Sequence, residues 1–150
     1  MARWRGERCR PVYDRNETFV IGGSKTLLAS DEDALTLVAA GITVHTALAA
    51  AKRLREQGLA ARVSDAYSVK PLDVPALKAA IEATGTLLVV EDHNRDGGLG
   101  DAVAAQVGRL GRIFHLGVVG EPHSASPDEL LERHRLSGDQ IEREALAIAA

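Results

Sequence analysis

The sequence Glu91-Asp92-His93 has the strongest acid/base potential in the chain, because it joins two carboxyls to an imidazole. It directly follows residues 86–90 (TLLVV), an apolar run that predicts a buried strand. In parallel α/β sheets, active sites form at the carboxyl ends of the strands, and an imidazole beside a carboxylate can titrate near neutral pH. No nucleophilic side chain lies nearby in sequence. Two interpretations therefore stay open: an acid/base site, or a polar cluster that holds the following loop or contacts a partner chain.

The glycine-rich loop Gly97-Gly98-Leu99-Gly100 comes next, before a predicted helix. Loops of this kind can bind phosphate through their backbone amides. Its last two glycines match the start of the dinucleotide-binding pattern GxGxxG, but Val103 stands where the third glycine belongs. Asp96 and Asp101 flank the loop and would repel a pyrophosphate. We interpret the loop first as a structural turn and second as a cradle for a small regulatory ligand.

A third candidate is the irregular stretch Tyr67-Ser-Val-Lys-Pro-Leu-Asp73 between a predicted strand and a predicted helix. Pro71 favours an extended conformation at Lys70, and Asp73 is a typical helix N-cap. Lys70 could act as a base. The commoner use of such a stretch is to connect a strand to a helix.

Several other kinds of site are disfavoured. Cys9 is the only cysteine, so the chain has no disulfide framework and no thiol pair for a metal. Four histidines are scattered without the spacing of a zinc site, namely His45, His115, His123 and His134. Aromatic residues are too few for a base-stacking surface, and neither a GxSxG nor a GxxxxGK[ST] sequence occurs. The residues alone therefore indicate no self-contained active site.

The charge is unevenly distributed along the chain. Residues 1–15 carry a net charge of +3, which leaves −6 for the other 135 residues. The acidic remainder disfavours nucleic-acid binding. No secretory signal is visible, and the charge-free residues 34–51 contain Gly41 and a change of pattern that favours a strand, a turn and a helix over a membrane span. We expect a cytoplasmic protein with neither a nucleic-acid nor a membrane partner.

The 150 residues, 45 % hydrophobic and 26 % charged, suit one globular core. Strand-like and helix-like segments alternate, with Thr43, Asp73, Ser126 and Ser137 as expected helix caps. This order predicts a three-layer α/β/α fold with a mixed, mostly parallel five-stranded sheet and a short antiparallel edge strand at the start. Predicted strands cover 25–29, 34–39, 61–64, 86–90 and 112–119; predicted helices cover 44–57, 74–83, 101–110, 129–134 and 138–149.

Taken together, these sequences resemble the C-terminal domain of transketolase. The resemblance rests on the stretch 67–73, on Val90-Glu-Asp-His93, on the 97–100 loop, and on residues 37–48 (LVAAGITVHTAL), which occur in the family's order and spacing. Residues 12–19 and 22–27 resemble the link from the preceding pyrimidine-binding domain. Related sequences occur in 1-deoxyxylulose-5-phosphate synthase and in 2-oxo-acid dehydrogenase β-subunits, but Glu-Asp-His favours transketolase of the animal and split-gene kind.

The resemblance implies a C-terminal domain at 25–150 preceded by a basic segment and linker remnant at 1–24. It implies a ketol transferase of sugar phosphates that uses thiamine diphosphate and a divalent metal, with assembly as this domain's role. The partners would be complementary transketolase domains, a complementary subunit, or a second copy in a homodimer. This chain lacks the family's diphosphate-binding sequence and catalytic residues, so it is expected to bind no cofactor alone. The residues carried over are structural or interfacial: Lys70, Pro71, Asp73, Glu91, Asp92, His93, Gly97, Gly98 and Gly100.

Overall fold

The computed structural model describes residues 11–120 and 124–150, in which strands and helices alternate. Most of the predicted basic segment, residues 1–10, and His123 lie outside the described residues. The strands are β1 (Lys25–Leu28), β2 (Leu35–Ala39), β3 (Ala61–Asp65), β4 (Thr86–Asn94) and β5 (Arg112–Val118). The helices are α1 (Thr43–Glu56), α2 (Val74–Thr84), α3 (Leu99–Val107), α4 (Pro127–Arg133) and α5 (Gly138–Ala149).

The five strands form one sheet in the order β1-β3-β2-β4-β5. Strands β3, β2, β4 and β5 are parallel, and β1 pairs with β3 in the antiparallel direction at the edge. The fold class and the antiparallel edge strand predicted from the sequence are confirmed. Because β2, β4 and β5 are parallel, the ends of β4 and β5 lie side by side at the edge from which α3 departs.

Helices cover both faces of the sheet. On one face, Leu37 and Val63 pack against α1 and α5, whose buried side chains include Leu54 and Ile141. On the other face, alternate strand residues pack against α2 and α3, among them Val38, Leu87, Val89, Ile81 and Val103. All five residues of β2 are buried, as expected for a central parallel strand. The charge-free residues 34–51 thus form a strand, a turn and a helix, as predicted, and no helix among the described residues is long and apolar enough to cross a bilayer.

The helix starts agree only in part with the predicted caps. Asp73 accepts a hydrogen bond from the Ala76 amide, and Ser126 forms a reciprocal capping box with Glu129, as predicted. Ser137 occupies the N-cap position of α5, but its hydroxyl makes no capping hydrogen bond.

The prediction that Thr43 caps the first helix is wrong. Thr43 is the first residue of α1, and Ile42 precedes it at the N-cap position. The Thr43 hydroxyl lies 2.8 Å from the carbonyl oxygens of Ala40 and Val90. A buried hydroxyl donates its hydrogen bond where acceptors are available. Here the acceptors are the carbonyl just after β2 and one in the middle of β4. Thr43 therefore ties the end of β2 to the middle of β4.

Candidate functional site: the Glu91 cluster at the carboxyl edge of the sheet

Glu91 is a buried carboxylate, 2 % exposed, that faces the start of α3. Its Oε2 accepts a hydrogen bond from the Leu99 amide at 2.7 Å, and its Oε1 accepts one from the Gly100 amide at 2.9 Å. The first amides of a helix have no partner within the helix, and a negative charge is favourable there. Glu91 therefore does for α3 what an N-cap side chain does for other helices, although it reaches across from β4.

His115 completes the cluster from β5. Its Nε2 lies 2.5 Å from Oε1 of Glu91, and its side chain is almost buried. Two glycines make room for this pair: a Cβ at Gly98 would overlap the Glu91 carboxylate, and a Cβ at Gly100 would overlap the His115 ring. We call Glu91, His115, Gly98 and Gly100 the Glu91 cluster. Sequence reasoning missed His115. The signal that could have found it is the pair Gly98 and Gly100, because glycines without a turn to explain them can mark the close approach of other side chains.

The predicted Glu91-Asp92-His93 triplet does not act as one group. The strand β4 continues through it to Asn94, but its pairing with β5 changes register between Val90 and Asn94, and its buried part ends at Glu91. Asp92 and His93 are exposed, and Oδ1 of Asp92 lies 3.3 Å from Nδ1 of His93. The expected partnership of His93 with Glu91 is replaced by the partnership of His115 with Glu91. The triplet thus divides into one buried carboxylate and one exposed surface pair.

The amides of the glycine loop are already bound by carboxylates of this chain. Besides the two amides held by Glu91, the Gly97 amide donates to Oδ2 of Asp101 at 2.7 Å. A diphosphate would have to displace two negative side chains, one of them buried, to reach these donors. The loop therefore does not fit the diphosphate of thiamine diphosphate. Among residues 11–120 and 124–150, no three Asp, Glu, His or Cys side chains are grouped as a metal site would require.

The stretch 67–73 packs against the segment that precedes β1. The Ser68 hydroxyl accepts from the Gly22 amide at 2.9 Å and donates to the Pro71 carbonyl at 2.7 Å. The Asp73 carboxylate accepts from the Ser24 hydroxyl at 2.8 Å while it caps α2. Lys70 and Pro71 are exposed and are joined by a cis peptide bond. The stretch thus fastens residues 22–24 to the sheet.

An aromatic cluster fastens the segment before β1 as well. Phe19 lies edge-to-face between Tyr13 and Tyr67, with ring centroids 4.9 Å apart on each side. The Tyr13 hydroxyl donates to Oδ2 of Asp65 at 2.6 Å. Burial raises the pKa of Asp65 above its ordinary value, and the hydrogen bond from Tyr13 opposes that rise. Burial and the hydrogen bond to Asp65 together raise the pKa of Tyr13, so the phenol stays protonated and keeps donating at neutral pH.

These features define an α/β domain with a mixed five-stranded sheet, a capped glycine loop at its carboxyl edge and an N-terminal segment fastened against it. Residues 24–141 match the model of the family described as "Transketolase, C-terminal domain". The chain belongs to this family, and the resemblance found in the sequence is confirmed.

Similar proteins include a transketolase-like protein 1 of Bos taurus, 43 % identical over 133 residues, and the transketolase of Homo sapiens, 41 % identical over 133 residues. Each alignment covers 87 % of this chain, but only 22 % and 21 % of those relatives. The chain therefore spans about a fifth of the length of these curated relatives.

Two solved structures share the fold. One, described as a split gene transketolase in an inactive β4 tetramer, matches with a TM-score of 0.85 and 32 % identity. That match covers 94 % of this chain and 48 % of the other. The transketolase of Campylobacter jejuni matches with a TM-score of 0.64 and 21 % identity, over 90 % of this chain and 20 % of the other, and this likeness shows the fold alone.

Proposed function

We propose that the chain is the C-terminal, assembly-forming part of a thiamine diphosphate-dependent ketol transferase of the transketolase type. It acts either as a separate subunit or as a segment of a longer protein, and it has no active site of its own. The complementary domains bind thiamine diphosphate and the divalent metal. The observation that carries this proposal is the occupation of the loop amides by Glu91 and Asp101 in a member of the transketolase family.

In this proposal the Glu91 cluster has a structural role. Its carboxylate and imidazole lie between β4, β5 and α3 and are largely buried, which suits a group that fixes the helix on the sheet. The exposed residues Asp92, His93, Lys70 and Pro71 are then candidates for contact with a partner. The alternative, a regulatory module that binds a small ligand at residues 97–100, loses support because Gly97, Leu99 and Gly100 donate their amides internally.

The exposed turn before β1 supports the assembly role. Val20 and Ile21 are 71 % and 86 % exposed, and the Gly23 amide closes the turn by donating to the Val20 carbonyl at 2.9 Å. The aromatic cluster holds this apolar turn in place from one side. Contiguous exposed apolar side chains on an ordered turn are typical of a protein contact. The solved relative described as a β4 tetramer of a split-gene transketolase supports the idea that such a chain can assemble.

A chimera tests this proposal. The segment of human transketolase that aligns with this chain, 133 residues long, is replaced by the corresponding segment of this chain. We expect the chimera to transfer ketol units, while the 150-residue chain alone shows no turnover under the same assay. Replacing both Val20 and Ile21 by aspartate should lower the chimera's activity by at least about tenfold, because charges at an apolar contact weaken association.

Leu110 provides the matched control, since it is 53 % exposed on the loop between α3 and β5. Leu110→Asp should leave the activity of the chimera within about twofold, as expected for a surface change away from a contact. Turnover by the chain alone would contradict the proposal. So would a folded chimera in which the aspartates at Val20 and Ile21 have no more effect than the aspartate at Leu110.

A further inference from the structure

The two edges of the sheet are protected to different degrees. Strand β1 forms one edge and β5 forms the other. An edge strand presents unpaired main-chain donors and acceptors, and proteins usually shield it by short length, lysine, proline or irregular pairing. Strand β1 has such protection, because it is 4 residues long, contains Lys25, and shifts register against β3 between Thr26 and Leu28. Strand β5 is 7 residues long and contains neither lysine nor proline, so its edge lacks these safeguards.

The pairing of β5 with β4 shows which main-chain groups face the open edge. The amide of Arg112 donates to the carbonyl just before β4 at 3.0 Å, and the carbonyl of Val118 accepts from the amide just after β4 at 3.0 Å. Alternate residues of a strand direct their main-chain groups to opposite sides. Ile113, His115 and Gly117 therefore direct their amides and carbonyls away from β4, to a side where no other strand of the described residues lies.

Apolar side chains line the open edge on both faces of the sheet. Phe114, Leu116 and Val118 are half-buried and pack partly against the core beside α1 and α5. Ile113 is half-buried and packs partly against the core beside α2 and α3. Because successive side chains of a strand point to opposite faces, a strand added beside β5 would contact both sets. The edge therefore offers apolar contacts together with main-chain hydrogen bonds.

Basic side chains flank one end of this edge. A cleft of about 210 Å³ lies between Leu116, Gly117 and the end of α4, where Arg133, His134 and Arg135 line it. Among the described residues, no aspartate or glutamate lines the cleft, and no ion pair involves Arg133 or Arg135. Both arginines are exposed, as suits a surface that meets a partner. Charge complementarity therefore favours an acidic partner at this end of the edge.

Carboxylates limit where the acidic side chains of a partner can lie. Asp96 and Asp101 line a groove of about 560 Å³ between α3 and β5, whereas Leu131 of α4 packs on the opposite face of the sheet. These two carboxylates would repel acidic side chains. Acidic residues at every second position of an added strand would all lie on the α4 side. The residues between them would lie in the groove, beside Ile113 and Ala104.

A second copy of the chain suits this edge less well than an acidic segment. If two β5 strands paired in the antiparallel direction, the start of one would lie opposite the end of the other. Arg112 of one copy would then approach Arg133 and Arg135 of the other, and like charges would oppose the pairing. We propose that the open edge of β5 binds an extended segment of a partner protein by strand addition, with acidic residues at alternate positions of that segment. This edge lies across the sheet from β1, so the contact is separate from the one proposed at Val20 and Ile21.

Hydrogen exchange measured by nuclear magnetic resonance on the 150-residue chain tests this proposal. The probe is a synthetic peptide of about eight residues in which glutamate alternates with valine. At saturation we expect it to slow exchange of the Ile113, His115 and Gly117 amides by at least about tenfold, because they gain hydrogen-bond acceptors. The Ile21 amide, on an exposed turn, should exchange at an unchanged rate. No slowing at β5 with about 1 mM peptide, or slowing at Ile21 in its place, would overturn the proposal.

A second peptide and two variants test the charge requirement. A peptide with lysine in place of glutamate should bind at least about tenfold more weakly at low ionic strength. The double variant Arg133→Gln, Arg135→Gly should weaken binding of the glutamate peptide to a similar degree, and it should stay folded because both arginines are exposed. Lys78→Gln, on the exposed side of α2, is the control and should bind as the parent does. Equal affinities for the two peptides or for the two variants would contradict the proposal. So would self-association of the chain that the peptide reverses, because a second copy would then be the occupant.

Discussion

Replacing Glu91 by alanine is expected to lower the free energy of unfolding by about 3 to 5 kcal/mol, the scale for breaking a buried charged network from one side. The change removes the acceptor of two helix amides, those of Leu99 and Gly100, and the partner of His115. All three groups are shielded from solvent by α3 and β5, so water cannot fully replace the carboxylate. The His115 imidazole would also be left nearly buried without its hydrogen-bonding partner.

Chemical denaturation of the purified chain measures this loss. Asp92 is the matched control, since it follows Glu91 in β4 but is exposed and pairs only with His93 among the described residues. Asp92→Ala should cost no more than about 0.5 kcal/mol, as is usual for a surface ion pair. A loss for Glu91→Ala as small as that for Asp92→Ala would show that the Glu91 cluster does not hold α3 on the sheet.

Gly100→Ala is expected to destabilise the chain by about 1 to 3 kcal/mol, the usual range for forcing extra atoms into a packed site. The new Cβ would overlap the His115 ring, which the hydrogen bond to Glu91 keeps in place. Within a helix, alanine is ordinarily favoured over glycine by about 1 kcal/mol. A large decrease in the free energy of unfolding would therefore result from the overlap with His115, because helix propensity alone favours alanine.

A double-mutant cycle separates these effects. In the background of His115→Ala the ring is absent, so Gly100→Ala should then be neutral or slightly stabilising, within about 1 kcal/mol. Gly97 serves as the control within the loop, because nothing lies near its Cβ position and only its φ of 79° opposes a side chain. Gly97→Ala should cost about 1 kcal/mol in both backgrounds. Additive losses for Gly100→Ala and His115→Ala would contradict the arrangement described for the Glu91 cluster.

Most of the strands and helices could be predicted from the pattern of hydrophobic residues. Residues 35–39 of β2 and 86–90 of β4 are mostly apolar because both faces of a central parallel strand are covered, and this pattern is visible in the sequence. Asp73 and Ser126 act on amides three residues ahead, and such local contacts can also be read from spacing. Thr43 was misjudged because its hydroxyl bonds to Val90, a residue 47 positions away that no local rule considers.

The site was harder to predict than the fold for the same reason. Glu91 was found because it follows a buried strand, but its partners come from α3 and from His115, 24 residues further on. His93 stands two positions from Glu91, yet its ring lies beside Asp92, and the imidazole that contacts Glu91 is that of His115. The contacts that decide the chemistry are set by strand order, which the sequence specifies only through the complete fold.

Calorimetric titration with thiamine diphosphate and magnesium tests the central claim most directly, using the chain alone and human transketolase as the positive control. We expect saturable binding by the control and no saturable heat from the 150-residue chain at about 1 mM cofactor, because the loop amides are held by Glu91 and Asp101. Stoichiometric binding to the chain alone, with a Kd below about 10 µM, would contradict the claim that it has no active site of its own.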